Sequence, residues 1–175
     1  MNKTLRLVWM ALFSALLGLV SQLALPLPAG IPLTLQTFAA ALCGRVLGPS
    51  SAAVSLSVWL ILGAAGVPLF SGFRGGMSVL LGPTGGFLAG LLLLAVFCGL
   101  APTGKKLSYA VASVTGLILC HLTGLLWCCF VTKQPFFTAF VTLSFMCFPK
   151  DILSLIAAEI CGRGLLKAFP FLERK

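Results

Sequence analysis

Long apolar stretches alternate along the whole chain with short breaks that contain Pro, Gly, Lys or Arg. Such breaks end helices or lie at a membrane surface, so each apolar stretch predicts one helix. The second and third stretches are shorter than the roughly 20 residues of an upright span, so we expect tilted helices or helices that end inside the protein. We predict an all-α integral membrane protein, a single domain over 1–175, with six transmembrane helices near 5–25, 33–47, 50–66, 83–101, 107–131 and 150–168.

The composition agrees with a membrane protein and excludes an ordinary soluble domain. Hydrophobic residues make up 59% of the 175 residues and charged residues only 9%, whereas soluble domains carry roughly 25% charged residues. The first apolar run, of about 21 residues, is too long for a cleavable signal peptide and lacks a small-residue cleavage site. We therefore interpret it as the first span.

The distribution of Lys and Arg predicts the orientation. With both termini in the cytoplasm, Arg74, Lys133 and Lys150 lie outside, and the other nine of the twelve basic residues, Arg45 among them, lie inside. This bias follows the positive-inside rule. Basic residues at membrane flanks also explain the net charge of +9 more simply than nucleic-acid binding does.

Three outer connections are apolar and rich in Pro or Gly, unlike solvated loops. They cover 25–33, 63–86 and 133–151, and the middle one contains many glycines, two prolines and one arginine. In hydrocarbon, unpaired backbone groups and charges are costly, so such segments persist where they enclose a site. We predict that 66–82 and 132–150 fold as lids over an outward-facing ligand pocket.

Asp151, Arg74 and Lys150 are the charged candidates near these lids. Asp151 begins the sixth predicted helix, where it is either a favourable helix N-terminal charge or an acceptor for ligand N–H groups. Arg74 and Lys150 either pair with an anionic group of the ligand or extend to the lipid headgroups.

Two further polar residues lie deeper in the predicted spans. Glu159 lies roughly 12 Å beyond Asp151 on the same helix, so it must face the bundle or be protonated; function and internal hydrogen bonding remain open. His121 lies at nearly the depth of Asp151, and a pairing of the two is possible. For His121 we favour a hydrogen bond between helices over a ligand contact.

The chain lacks the motifs of the common membrane enzymes. It has no serine-protease, aspartyl-protease or H-E-x-x-H pattern and no P-loop, so we predict neither catalysis nor ATP hydrolysis by this chain. Seven cysteines lie in apolar runs without C-x-x-C spacing, which favours hydrophobic filler over a metal site.

Small residues four apart occur twice on the first predicted helix. Ala11 and Ala15 form one such pair, and Ser14 and Gly18 form the other. This spacing lets another helix approach closely, which serves either a partner protein or packing within the bundle.

Four separated motifs, in this order along the chain, carry a family resemblance: PLTLQTF at 32–38, GVPLF at 66–70, LGPTGGF at 81–87 and PKD at 149–151. With these motifs the chain resembles BioY, the biotin-binding S-component of energy-coupling-factor (ECF) vitamin transporters. The resemblance runs over nearly the whole chain.

The resemblance implies a six-helix protein of the bacterial cytoplasmic membrane that captures biotin from outside. Such S-components dock on a transmembrane coupling protein that two ATPases drive, so ATP would be bound only by partner subunits. In the family an Ala-x-x-x-Ala pair on the first helix contacts the coupling protein, which matches Ala11 and Ala15. Biotin, these partners and membrane lipid are the expected binding partners, and no bound cofactor is expected.

The family's binding residues carry over to the acid and to the outer connections. Asp151 would accept the ureido N–H of biotin, the glycines of the Gly-rich connection would belong to the lid, and its two phenylalanines would contact the ring system. The remaining predicted contacts are Gln36, Phe70, Gly72, Phe73, Gly75, Gly76 and His121.

Two positions depart from the family's pattern around the acid. Lys150 replaces a glycine before Asp151, and Ser154 replaces a lysine after it. The positive charge therefore precedes the acid instead of following it, and both Arg74 and Lys150 are candidates for binding the ligand carboxylate.

The alternatives to biotin uptake are a component or solitary facilitator for another small vitamin, and a membrane scaffold that transports nothing.

Overall fold

Six long α-helices form the body of the computed structural model, which describes residues 2–26, 32–103 and 105–172. These helices are α1 (Lys3–Ser21), α2 (Gln36–Leu47), α3 (Pro49–Ala64), α5 (Gly85–Leu100), α6 (Lys106–Thr132) and α8 (Phe148–Ala168). Shorter elements connect them: strands β1 (Ala24–Pro26) and β2 (Pro32–Thr34), helices α4 (Met77–Leu81) and α7 (Phe136–Ala139), a π-helical segment (Phe140–Phe145) and a final 3₁₀ turn (Pro170–Leu172).

Each predicted helix has a counterpart in the structure, and the prediction of a helical membrane fold is confirmed. The first helix ends at Ser21, four residues before the predicted end, because the chain turns into an antiparallel hairpin that pairs Ala24 with Thr34. This hairpin was not predicted. The tip of the connection 25–33 lies outside the described residues.

Length and composition identify α1 and α6 as helices able to cross a membrane. A third candidate is the segment Phe136–Phe145 taken together with α8, which is bent by 44°. Pro149 in the first turn of α8 lacks an N–H and cannot continue the preceding helical ladder, which explains a break here. Helices α3 and α5 are apolar but shorter. Six crossings and cytoplasmic termini remain predictions.

Helix α5 lies at the centre of the bundle and packs against α2, α3 and α6, while α2 packs against α8. Close approach of α2 to α5 depends on Gly44, because a Cβ there would overlap the carbonyl of Ala95. Small residues at such crossings let two backbones come together where lipid provides no hydrophobic drive. The crossing fixes α2, whose first turn forms one wall of the site.

Candidate functional site

A cavity of about 100 Å³ opens where the hairpin, the loop after α3, the central helix and the start of α8 meet. Its walls are mostly apolar, with polar groups grouped toward α2 and α8, as is typical of ligand pockets. The lining residues are Thr34, Gln36, Thr37, Phe70, Ser71, Arg74, Val79, Thr84, Phe87, Leu88, Leu91, Leu117, Cys120, His121, Leu143, Cys147, Lys150 and Asp151.

Asp151 is the centre of the polar wall and is only 4% exposed. Thr37 donates a hydrogen bond of 2.7 Å to its Oδ1, and the Lys150 ammonium forms an ion pair with the same oxygen. The Nε2 atom of His121 lies 3.2 Å from Oδ2. Because burial without partners would be costly, these three contacts explain how a carboxylate remains at this depth.

His121 joins Asp151 to the π-helical segment. Its Nδ1 lies 2.9 Å from Ser144 Oγ, and the imidazole packs edge-on against Phe87. Both contacts are satisfied when Nε2 carries the proton and donates to Asp151 while Nδ1 accepts from the serine hydroxyl. The possible pairing of His121 with Asp151 is thus present, and so is the favoured hydrogen bonding between helices.

Lys150 links the start of α8 to the hairpin. Besides its ion pair with Asp151, its Nζ donates a 2.7 Å hydrogen bond to the carbonyl of Thr34 in β2. An ammonium group has three N–H donors, so two of them are committed inside the protein.

Gln36 lines the cavity as the first residue of α2. Its Oε1 accepts a 3.0 Å hydrogen bond from the Thr34 hydroxyl, and its Nε2 donates 2.8 Å to Ser21 Oγ. Ser21 in turn donates to the carbonyl of Leu17. The side chain of Gln36 therefore ties the end of α1 to the hairpin beside the site.

Arg74 and Phe70 belong to the loop between α3 and α4, and both line the cavity. Phe70 is 1% exposed and packs edge-on against Trp59, with ring centroids 5.2 Å apart. Arg74 is exposed and donates through Nε to the carbonyl of Ser71 at 3.2 Å. No carboxylate pairs with Arg74 within the described ranges.

The remaining loop residues that were predicted as contacts lie outside the cavity wall. Phe73 is 75% exposed, and its N–H donates to Gln22 at the end of α1. Gly75 packs so closely on Val67 that a Cβ has no room, and the left-handed φ of +97° at Gly76 favours glycine. Gly72 likewise has a positive φ. These glycines shape the loop backbone.

The two small-residue pairs of α1 differ in their exposure. Ala11 and Ala15 are exposed on the outer face of the helix. Ser14 and Gly18 are buried: Ser14 donates 2.7 Å to the carbonyl of Ser55 in α3, and Gly18 packs against Leu69. The inner pair therefore serves packing within the bundle, and the outer pair is free to contact another molecule.

Glu159 faces the bundle, as expected of a deep acid, and forms internal ion pairs. It lies 2.6 Å from Nε of Arg45 and 2.6 Å from Nε of Arg163. Arg45, predicted as a basic residue of the cytoplasmic flank, is only 1% exposed, and its guanidinium lies over the Tyr109 ring. Internal pairing accounts for Glu159, which is remote from the cavity wall.

Three polar residues of the site were not singled out from the sequence. Thr34 and Thr37 lie in the PLTLQTF motif, but their spacing alone does not distinguish them from other polar residues. Ser144 lies in an apolar connection where nothing marks it. Only the positions of Asp151 and His121 in space identify these hydroxyls as part of the site.

Comparison with known proteins places the chain among transport proteins. The sequence model of the BioY family matches residues 1–171. "Biotin transporter BioY2" of Lactococcus lactis subsp. cremoris is 34% identical over 95% of this chain and 93% of its own length. "Probable biotin transporter BioY" of Pyrococcus horikoshii is 38% identical over 67% of this chain and 70% of its own length.

A solved structure has the same fold. The crystal structure at 2.1 Å of the S-component for biotin from an ECF-type ABC transporter has a TM-score of 0.80 with this chain, at 23% sequence identity. The match covers 93% of each chain.

Proposed function

Because this chain belongs to the BioY family, we propose that it takes up biotin as the substrate-binding S-component of an ECF-type transporter. The family consists of membrane transport proteins, so the chain is not an enzyme. The single observation that best supports the ligand is the buried carboxylate of Asp151 in a mostly apolar cavity.

The hydrogen-bonding capacity of Asp151 fits a ligand N–H group. A carboxylate has about four lone-pair positions. Thr37 and Lys150 occupy Oδ1, whereas His121 is the one partner of Oδ2 among the residues that the structure describes. One acceptor position on Oδ2 is therefore available for the ureido N–H of biotin. In a water-poor cavity such a charge-assisted bond is strong and selective.

The rest of the cavity suits the other parts of the ligand. Phe70, Phe87 and Leu88 offer apolar surface for the fused ring system, and Arg74 at the rim offers a guanidinium for the carboxylate tail. Binding from outside would then require the lids 66–82 and 132–150 to open and close over the ligand. The pocket would then open on the outer side of a bacterial cytoplasmic membrane.

The proposed partners are a transmembrane coupling protein and its pair of ATPases. Ala11 and Ala15 present a small-residue surface on the exposed face of α1, where a partner helix can approach closely. ATP would be bound by the ATPases alone, and biotin would be the only small ligand of this chain.

Isothermal titration of the detergent-purified chain with biotin, biotin methyl ester and a second vitamin tests the ligand. We expect saturable binding of biotin and none of the second vitamin. Asp151→Asn should weaken binding about ten- to hundredfold, since hydrogen bonds to charged groups contribute about 1.5–3 kcal/mol. Ser154→Ala is the matched control, because Ser154 is buried on the same helix but lies outside the cavity wall.

Other outcomes of the titration would redirect the proposal. Binding of the second vitamin alone would indicate a transporter component for that vitamin, and no binding by a folded sample would favour a membrane scaffold.

For the partner surface, Ala11→Trp with Ala15→Trp should abolish ATP-dependent uptake while biotin binding persists. Leu122→Trp, on an exposed part of α6, should leave both intact.

A further inference from the structure

A second concave surface lies between α6 and α8, on the part of these helices away from the proposed biotin cavity. It is a groove of about 360 Å³. Ala110 and Val114 of α6 form one wall, and exposed isoleucines of α8, such as Ile156 and Ile160, form the other. The small side chain of Ala110 leaves room for an occupant between the two helices.

The floor of the groove is closed and well packed. Tyr109, Ser113 and Leu155 are each buried, and the Tyr109 hydroxyl contacts the carbonyl of Leu155 at 3.5 Å. The groove is therefore a shaped recess on the outside of the bundle and does not open into the core. In a membrane protein such a recess faces the acyl chains of the bilayer.

One end of the groove carries excess positive charge. Lys106, Glu159 and Arg163 line this end, and Glu159 is already bonded to Arg163 and to the buried Arg45. Three basic side chains thus face one carboxylate. No acidic partner of Lys106 is found in the described part of the chain. Uncompensated charge next to hydrocarbon is costly, so this end favours an additional anion.

The dimensions of the groove match one leaflet of a bilayer. Its lining on α8 runs from Ile152 to Arg163, about 16 Å at 1.5 Å per residue, and half of a hydrocarbon core of about 30 Å is about 15 Å. The basic end lies at the first residue of α6 and near the end of α8. The headgroup of one lipid would therefore lie at the basic end of the groove while its acyl chain lies along the apolar walls.

We propose that this groove binds one anionic phospholipid, with an acyl chain between α6 and α8 and the phosphate between Lys106 and Arg163. Such a lipid supplies the missing negative charge and fills the apolar recess at the same time. A zwitterionic lipid supplies the acyl chain but also brings its own positive group to the basic end.

Native mass spectrometry of the full chain with dioleoyl phosphatidylglycerol or dioleoyl phosphatidylcholine tests this proposal. We expect one phosphatidylglycerol to be retained at least fivefold more than phosphatidylcholine. Lys106→Gln and Ala110→Phe should each reduce that retention at least fivefold, the first by removing charge and the second by filling the groove. The matched controls are Lys167→Gln, at the end of α8 outside the groove, and Val111→Phe, on the exposed face of α6.

Several results would overturn the proposal. Equal retention of the two lipids, or equal losses in Lys167→Gln and Lys106→Gln, would mean that lipid binds by general surface charge. Retention that Ala110→Phe leaves unchanged would mean that no acyl chain enters the groove. A dimer that Ala110→Phe disrupts, without any lipid preference, would identify a second copy of the chain as the occupant. Displacement of the lipid by millimolar inorganic phosphate would assign the basic end to free phosphate.

Discussion

The Thr37 hydroxyl donates a 2.7 Å hydrogen bond to the carboxylate of Asp151, 114 residues further along the chain. This bond joins the first turn of α2 to the first turn of α8. Both side chains are less than a tenth exposed. Because Lys150 contacts the same carboxylate oxygen, the hydroxyl and the ammonium together fix the direction of the acid and leave Oδ2 toward His121 and the cavity.

Thr37→Val tests this orientation because valine has the shape of threonine but no donor. We expect the variant to bind biotin about tenfold more weakly, since a hydrogen bond to a charged group contributes roughly 1.5 kcal/mol or more. Isothermal titration measures the change. Thr37→Ser is the control, since it keeps the donor and should bind within about twofold of the parent chain.

If Thr37→Val and Thr37→Ser bind biotin equally, the hydroxyl does not orient the acid for the ligand. Thermal unfolding of the same samples separates this result from a general loss of fold. Both variants should unfold within a few degrees of the parent, because single hydrogen bonds between membrane helices average only about 0.6 kcal/mol.

We expect Arg74, rather than Lys150, to pair with the ligand carboxylate. The ammonium of Lys150 already contacts Asp151 and the Thr34 carbonyl, whereas the guanidinium of Arg74 bonds only to the Ser71 carbonyl in the described structure. We expect Arg74→Gln to weaken biotin binding about fivefold and to leave binding of the methyl ester unaffected, because a rim charge pair contributes roughly 1 kcal/mol.

Lys150→Met is the comparison variant for Arg74→Gln. It removes the link between hairpin and α8, so it should weaken biotin and its methyl ester to the same extent. Titration of both ligands against both variants resolves the two roles. The assignment fails if Lys150→Met, and not Arg74→Gln, abolishes the preference for biotin over its ester.

The helices could be predicted from sequence because each is one apolar stretch between breaks. Interpreting 66–82 and 132–150 as lids did not reveal α4, α7 or the π-helical segment inside them. These short helices provide hydrogen bonds for backbone groups in an apolar environment. The apolar composition of the two segments is only a weak indication that such helices form there. The hairpin depends on the pairing of Ala24 with Thr34, and two strands of three residues leave too little alternation to detect.

The charged part of the site could be predicted, but its hydroxyl partners could not. Charges are so rare in this chain that Asp151, Lys150 and Arg74 were recognisable individually. Thr37 and Ser144 act only through contacts across the bundle, and hydroxyl residues are common in membrane helices. The burial of Arg45 against Glu159 could not be predicted either, because the charge count assigns this residue only to a side of the membrane.

Glu159→Gln is expected to destabilise the protein strongly. Arg45 is 1% exposed, so removing its carboxylate leaves an uncompensated buried charge, which costs about 3–5 kcal/mol. Thermal or denaturant unfolding in detergent measures the loss. Arg163→Gln is the control: its side chain is 34% exposed, so its pair with Glu159 should contribute at most about 1 kcal/mol. Equal losses in the two variants would contradict a structural role for the buried pair.

Gly44→Ala tests the contact between α2 and α5 that positions the first turn of α2. A Cβ at Gly44 meets the carbonyl of Ala95, which belongs to the backbone of the central helix and cannot rotate away. Forcing the helices apart should lower the free energy of unfolding by about 1–3 kcal/mol. It should also weaken biotin binding, because Thr37 moves with α2.

Gly164→Ala is the matched control for this substitution. Gly164 lies within α8, and apart from its two neighbours in sequence and the nearby backbone of its own helix, no described atom lies within 4 Å of the position that an alanine methyl group would take there. Alanine at this position should therefore be neutral or stabilising by up to about 1 kcal/mol. Unfolding in detergent and biotin titration of the two variants provide the comparison. If Gly44→Ala and Gly164→Ala have the same unfolding stability and the same affinity for biotin, α2 and α5 can accommodate a methyl group between them. The position of Thr37 must then depend on other contacts.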